Sequence, residues 1–259
     1  IRSRLVGSEM CIRDSSCLEI ISKEFHQLLN DSPQFKESEK KIEVIMSILS
    51  NYTPECIVES SLECKIGELG NIDGMSSEEF AFRFKNAFDI ADIDINRAVT
   101  HNKGIMNGVD AVLISTGNDF RAVEAGIHAF ASRKGKYKSL SECTIIDNIF
   151  KISLRIPLSV GTVGGITDVH PMVKLSLKLL NSPTSDDLMK IICSVGLAQN
   201  FAAVKSLVTT GIQKGHMKMH LINLLIKQNA TKDQIDKSEE YFRDKEINSE
   251  SIKDFLDQN

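Results

Sequence analysis

The stretch from Ser76 to Ala91 constrains the fold more than any other part of this chain. It opens on Ser76 and Glu79, a Ser-x-x-Glu pairing that caps a helix from both sides. Phe80, Phe84, Ala87, Phe88 and Ala91 then recur at steps of three and four, so they share one helical face. Three phenylalanines on one face have to leave water, and the helix must therefore pack on an apolar partner. Strand-like stretches supply candidates. Lys41–Ser50 is apolar and β-branched until Asn51-Tyr52-Thr53-Pro54 interrupts it, and Cys56–Ile66 alternates loosely as a further strand. Thr144–Ile149 and Lys151–Ile156 read as a pair of strands.

Glycine and proline punctuate the rest. Gly67 to Gly74, with Asn71 and Asp73, suits a boundary. His101 to Asp110 reads as a glycine-bearing loop, Ala111–Ser115 as a buried strand, and Thr116-Gly117-Asn118-Asp119 as the opening of a helix to about Ser132. Pro171 suits the first turn of a helix ending at Asn181-Ser182-Pro183. From Asp186 onward the chain reads as all helix. One or two helices reach about Thr210, breaks follow at Gly211 and Gly215, and helices cover His216–Gln228 and Lys232–Lys245 before a short tail. Residues 17–40 are polar and helical in tendency, with Leu18, Ile21, Phe25 and Leu28 on one face. Strands followed by a helical end predict an α+β protein with a helical C-terminal appendage.

With 259 residues the chain can form one large or two small domains. Its 42% hydrophobic and 25% charged content is that of an ordinary globular protein, and a net charge of −4 gives no case for nucleic acid or a membrane surface. No apolar run approaches the roughly 18 residues of a membrane span. Six cysteines without a CxxC pair fit a reduced, cytoplasmic setting. Ile1–Ser15 has no initiator Met and no periodicity, and its VGSEMCIRDS string resembles translated sequencing-adapter DNA. Residues 1–16 are therefore expected to be an assembly artefact, with the true chain cut at about Ser16 and extending upstream.

Four constellations could carry chemistry. In Thr100-His101-Asn102-Lys103-Gly104-Ile105-Met106-Asn107-Gly108, a lysine among glycines and asparagines could steady a developing oxyanion, although the same string suits a surface turn. Asp119 follows sixteen residues later and could hold that lysine charged from the same end of a sheet, or simply cap a helix. Gly161-Thr162-Val163-Gly164-Gly165 could admit a phosphate or dinucleotide backbone, or be a tight turn. His216 and His220 could be surface residues, or one of them a proton donor on a helix hinged at the preceding glycine. No Glu stands between them in the zinc-helix manner, so no metal site is expected.

Taken in order, these strings resemble class II (bacterial-type) 3-hydroxy-3-methylglutaryl-CoA reductases. The matching blocks are RAVTHNKGIMNGVDAV (Arg97–Val112), STGNDFRAVEAGIHAFA (Ser115–Ala131), VGTVGGITDVHP (Val160–Pro171) and VGLAQNFAAVKSLVTTGIQKGHMKMH (Val195–His220), with a weaker match at Ile48–Asn51. The resemblance implies reduction of a CoA thioester to mevalonate and free CoA by two hydride transfers from NADH or NADPH. It implies that Lys103 stabilises the oxyanion, Asp119 hydrogen-bonds that lysine, and His216 protonates the departing thiolate. Arg97, Asn107 and Gln199 would lie near the substrate acyl group, and Gly161, Gly164 and Gly165 near the cofactor. The implied fold is a large mixed α/β domain with the remnant of an inserted ferredoxin-like cofactor domain and a helical C-terminal flap. On that division residues 17–65 are the cofactor-domain remnant, 66–210 the large domain and 211–259 the flap. Active sites would be shared in a homodimer or higher homo-oligomer, with no nucleic acid or membrane partner.

Two elements of the family pattern are missing from this sequence, a glutamate from the front of the large domain and a DAMGAN-type segment that contacts the cofactor. The chain thus reads as a catalytic back half without its front, not expected to turn over alone. The alternatives are a non-enzymatic remnant or interaction domain derived from that family, and another CoA- or nucleotide-handling enzyme on the same glycine loops.

Overall fold

The computed structural model describes residues 8–34, 43–209, 211–242 and 247–258, without the side chains of 8–14, 212–219 and 239. The helix begun at Ser76 forms, with the serine half of its expected cap in place and Glu79 Oε1 turned to Arg83. Helix α2 runs Ser77–Ile93, and Ser76 Oγ accepts from the Glu79 N–H at 3.2 Å. Its phenylalanine face packs on a three-stranded antiparallel sheet made of β1 (Ile57–Lys65), β2 (Ser141–Ile146) and β3 (Ile149–Pro157), in the order β1-β3-β2. In the central strand Phe150, Ile152, Leu154 and Ile156 all face inward at 2% exposure or less, the period of two expected of a sheet buried on one face. Phe84 lies at the centre of the packing, with ring centroids 5.1 Å from Phe88, 5.4 Å from Phe150 and 5.1 Å from Phe201. Burying each such ring stabilises the fold by roughly 1.5–3 kcal/mol.

The strand boundaries shift by a few residues from the sequence reading. Asp147 and Asn148, at φ of 51° and 62°, form the two-residue hairpin turn, so Ile149 begins β3 and does not end the strand before it. Lys41–Ser50 also departs. Residues 43–50 carry no regular structure and leave Ile45, Met46 and Ile48 exposed, while 41 and 42 lie outside the described residues.

The largest correction concerns the glycine-rich stretch. His101–Asp110 is no loop, and Ala111–Ser115 is no strand. Both belong to one helix, α3, spanning Ile95–Ser115 and capped by Asp94. Ala98, His101, Asn102, Ile105, Met106, Val109 and Leu113 form its buried face, at helical spacing. Gly108 is there for packing. Helix α6 (Ser185–Val208) crosses α3 so closely that a Cβ at Gly108 would stand 2.9 Å from both Gln199 Cβ and the Val195 carbonyl oxygen. A Cβ at Gly196, on the α6 side, would stand 2.9 Å from Val109 Cγ2. Gly108, which suggested a turn, instead lets two helices touch.

Helix α4 (Phe120–Ala131) and α5 (Pro171–Leu179) start where the sequence placed them, and α6 is a single helix. Helix α6 is long and apolar enough to cross a membrane by length and composition. Here it packs along α3 and against β1 and β3 through Leu188, Ile192, Cys193 and Leu197. Helix α7 (Ile212–Lys227) begins earlier than expected. Gly211, at φ 81°, precedes it, and Gly215 lies within it and does not break it. Helix α8 covers Lys232–Tyr241, and residues 243–245 of its expected range lie outside the described residues. The supposed tail forms α9 (Ser249–Gln258), whose Ile252 and Phe255 join Leu221, Leu225 and Phe242 in a second, small core. At the other end α1 runs Ser8–Asp31 and stops short of residue 40. It includes Ser8–Ser15, where no periodicity was evident, and its Ile21, Phe25 and Leu28 are exposed.

Candidate active site

Lys103 stands in the middle of α3 with its side chain exposed, and Asn107 follows one turn later, also exposed. A rigid helix holds both, and buried polar groups fix that helix. His101 Nε2 lies 2.7 Å from Ser141 Oγ, which donates to Asn200 Oδ1 at 3.0 Å, and Asn200 Nδ2 lies 3.2 Å from the same imidazole nitrogen. This triangle ties α3 to the start of β2 and to α6. Asn102 adds a second tie, donating to the Lys138 carbonyl at 2.8 Å and accepting from the Leu140 N–H at 3.0 Å. His101 and Asn102 are 2% and 0% exposed, so each of these bonds replaces solvation the groups have lost. Burial, and then the nearby Arg97 guanidinium, push the His101 imidazole down to about 3. The sequence suggests a loop for both, with Asn102 a polar neighbour of Lys103 and His101 without a role. Helical spacing through 98, 101, 105 and 109 was the available signal.

Arg97 is half-buried, with Nη2 3.4 Å from His101 Nδ1, and desolvation lowers its guanidinium from the ordinary value. Gln199 is exposed on α6 with its Cβ against Gly108, one residue from Asn107. Arg97, Lys103, Asn107 and Gln199 therefore belong to one tightly packed helix pair.

Asp119 belongs elsewhere. It is the N-cap of α4, and its Oδ1 accepts from the N–H groups of Arg121 at 3.2 Å and Ala122 at 3.3 Å. The turn before it folds back only until the Asn118 N–H meets the Leu113 carbonyl at 2.9 Å. Ten helical residues, a rise of about 15 Å, still separate that level from Lys103. A lysine and an aspartate cannot pair across it, so within one chain the expected contact between them is not formed. The glycine loop meets the turn that precedes Asp119 instead. The Gly161 N–H donates to Asn118 Oδ1 at 2.8 Å, and a Cβ at Gly117 would stand 2.7 Å from Ile166 Cγ2. Gly164 and Gly165, at φ of 82° and 57°, hold the left-handed backbone that glycine adopts without strain. His216 falls in α7, and its side chain lies outside the described residues; His220 is exposed.

Comparison with known proteins gives one consistent result. The sequence profile described as hydroxymethylglutaryl-coenzyme A reductase matches residues 17–221. A 3-hydroxy-3-methylglutaryl-coenzyme A reductase of Archaeoglobus fulgidus is 44% identical over 188 residues, covering 71% of this chain and 43% of that protein. A probable 3-hydroxy-3-methylglutaryl-coenzyme A reductase of Borreliella burgdorferi is 47% identical over 129 residues, covering 50% of this chain and 30% of that protein. Among solved structures, the class II reductase of Streptococcus pneumoniae bound to NADPH in open conformations superposes with a TM-score of 0.70 at 37% identity, over 99% of this chain and 59% of that one. The chain thus spans less than half the length of these curated relatives.

Proposed function

Because the chain belongs to the hydroxymethylglutaryl-coenzyme A reductase family, we propose that it supplies the lysine, aspartate and histidine of an active site that reduces 3-hydroxy-3-methylglutaryl-CoA to mevalonate and CoA. NADH or NADPH supplies the two hydrides, with Gly164 and Gly165, next to Gly161, as the chain's contact to it. The Lys103 ammonium stabilises the oxyanion that forms when the thioester carbonyl, and later the aldehyde, is reduced. Asn107, Arg97 and Gln199 orient the acyl group along the α3–α6 pair. His216 gives a proton to the departing thiolate, a task that suits an acid near neutrality.

The observation that carries this reading furthest is the separation of Lys103 from Asp119 along α3. A charged lysine needs a nearby carboxylate to stay oriented, and this chain holds its candidate at the far end of the helix. A homodimer with shared sites resolves the conflict, Asp119 of one copy meeting Lys103 of the next. The domain division belongs to the same proposal: residues 17–65 are what remains of a ferredoxin-like cofactor domain, 66–210 the large domain and 211–259 a flap carrying His216. Since β1 pairs with β3 from Ile57↔Pro157 to Lys65↔Ile149, the first boundary passes through a shared sheet. The setting is cytoplasmic.

Reduction of a thioester to an alcohol takes up four electrons. In a chain preceded by the upstream portion that its relatives carry, two NADPH or NADH are expected to be oxidised for each free CoA thiol released. A ratio of one, or a folded protein that oxidises neither with this substrate, would contradict the assignment.

A further inference from the structure

The imidazole of His101 is held on three sides. The Phe88 ring meets it edge to face, with centroids 4.8 Å apart and planes at 81°. Nδ1 faces Arg97, whose Nη2 is 3.4 Å away and one helical turn earlier on α3. Nε2 faces Ser141 Oγ at 2.7 Å and Asn200 Nδ2 at 3.2 Å. A guanidinium carries donors only, so the ring nitrogen beside it has to be the bare acceptor. The ring proton then belongs to Nε2 and is donated to Ser141 Oγ, whose own hydroxyl donates to Asn200 Oδ1 at 3.0 Å. The opposite tautomer would let Asn200 Nδ2 donate to Nε2, but it would set two N–H groups against each other at Nδ1. Burial, with the Arg97 charge adding to it, holds the imidazole down to about 3, so the ring is neutral at neutral pH, as an acceptor requires.

Arg97 needs that acceptor. Its guanidinium is half-buried, and no carboxylate among the described residues acts on it. His101 Nδ1 anchors one end of the guanidinium fork and leaves the remaining donors for an anion. We infer that His101 is a positioning residue: Ser141 and Asn200 fix its tautomer, and the bare Nδ1 so presented holds Arg97 in one place for the carboxylate of the substrate's acyl group. A free arginine side chain samples many rotamers, and each arriving substrate would have to order it. An arginine already held by its neighbour on the helix binds without that cost. The bearing of His101 on turnover rests on the reductase reading given above.

Two substitutions separate aiming from packing. An asparagine places its amide near the Nδ1 position and keeps an acceptor for Arg97, but it falls short of Ser141. A glutamine reaches towards Ser141 and Asn200 and leaves Arg97 without its acceptor. In a chain extended to the length of its relatives, His101→Gln is expected to raise KM for 3-hydroxy-3-methylglutaryl-CoA about tenfold with kcat within about twofold, because Arg97 binds the carboxylate equally before and during the reaction. His101→Asn is expected to recover most of that KM although the buried triangle is lost. A KM that follows the triangle instead, better in His101→Gln than in His101→Asn, would overturn the inference. Nitrogen NMR of the chain as it stands, at neutral pH, is expected to show a neutral His101 ring with its proton on Nε2. A proton on Nδ1 would equally overturn it. If the extended parent does not turn over, the reductase reading fails, while the tautomer measurement still decides whether His101 holds Arg97.

Discussion

Lys103→Ala is expected to reduce turnover of 3-hydroxy-3-methylglutaryl-CoA by about a thousandfold in a chain extended to the length of its relatives, the usual cost of removing one oxyanion-stabilising group. The same substitution should leave folding stability within about 0.5 kcal/mol of the parent, because the lysine is exposed and no ion pair among the described residues depends on it. The loss should appear in kcat more than in KM, since the interaction grows as charge develops on the carbonyl oxygen. Steady-state kinetics together with a denaturant melt check both halves. Unchanged kinetics would remove Lys103 from the chemistry, and a large stability loss would mean that its side chain supports the fold.

The second large effect belongs to His101 and concerns acid. The free imidazole titrates near 6.5, and burial with Arg97 beside it holds the folded one down to about 3. The stability of the neutral, buried form is complete above 6.5 and falls as pH drops towards 3, at about 1.4 kcal/mol per unit. About 2 kcal/mol should be gone by pH 5 from this residue alone. The Asp110 carboxyl, pushed up to about 6 chiefly by burial, works in the opposite sense over part of that window and makes the net curve shallower. Comparison with His101→Gln isolates the histidine. The parent's advantage over the variant, measured by urea unfolding, should shrink by about 2 kcal/mol between pH 7 and pH 5. A constant difference would mean that the imidazole titrates normally and is not buried as described.

Much of the fold was legible from periodicity and capping. Ser76 and Glu79 placed the start of α2, its phenylalanines predicted a buried face, and Asp119 and Pro171 marked the starts of α4 and α5. What failed was the reading of glycine. Gly104 and Gly108 looked like loop residues because glycine commonly serves turns, yet their neighbours at 98, 101, 105 and 109 already had helical spacing. The reason for Gly108 lies across a helix crossing, in Gln199 and Val195 nearly a hundred residues away, and no local pattern carries that. His101 and Asn102 were lost with them, because a polar pair in a supposed loop suggests solvent, whereas on the inner face of a helix it requires partners. The nearness of Lys103 to Asn107 was legible from the motif. Their separation from Asp119 was not, because it follows from α3 being one unbroken helix.

That separation makes a subunit-mixing measurement the most direct test. Lys103→Ala and Asp119→Ala chains, each extended to the length of their relatives, would be inactive as separate proteins. Sites shared between copies should restore activity on co-expression. Random pairing makes half of the dimers mixed, each with one intact site of two, so about a quarter of the parent's turnover should return. Activity no greater than the sum of the two variants alone would show that each site draws both residues from one chain, and the shared-site account would be wrong.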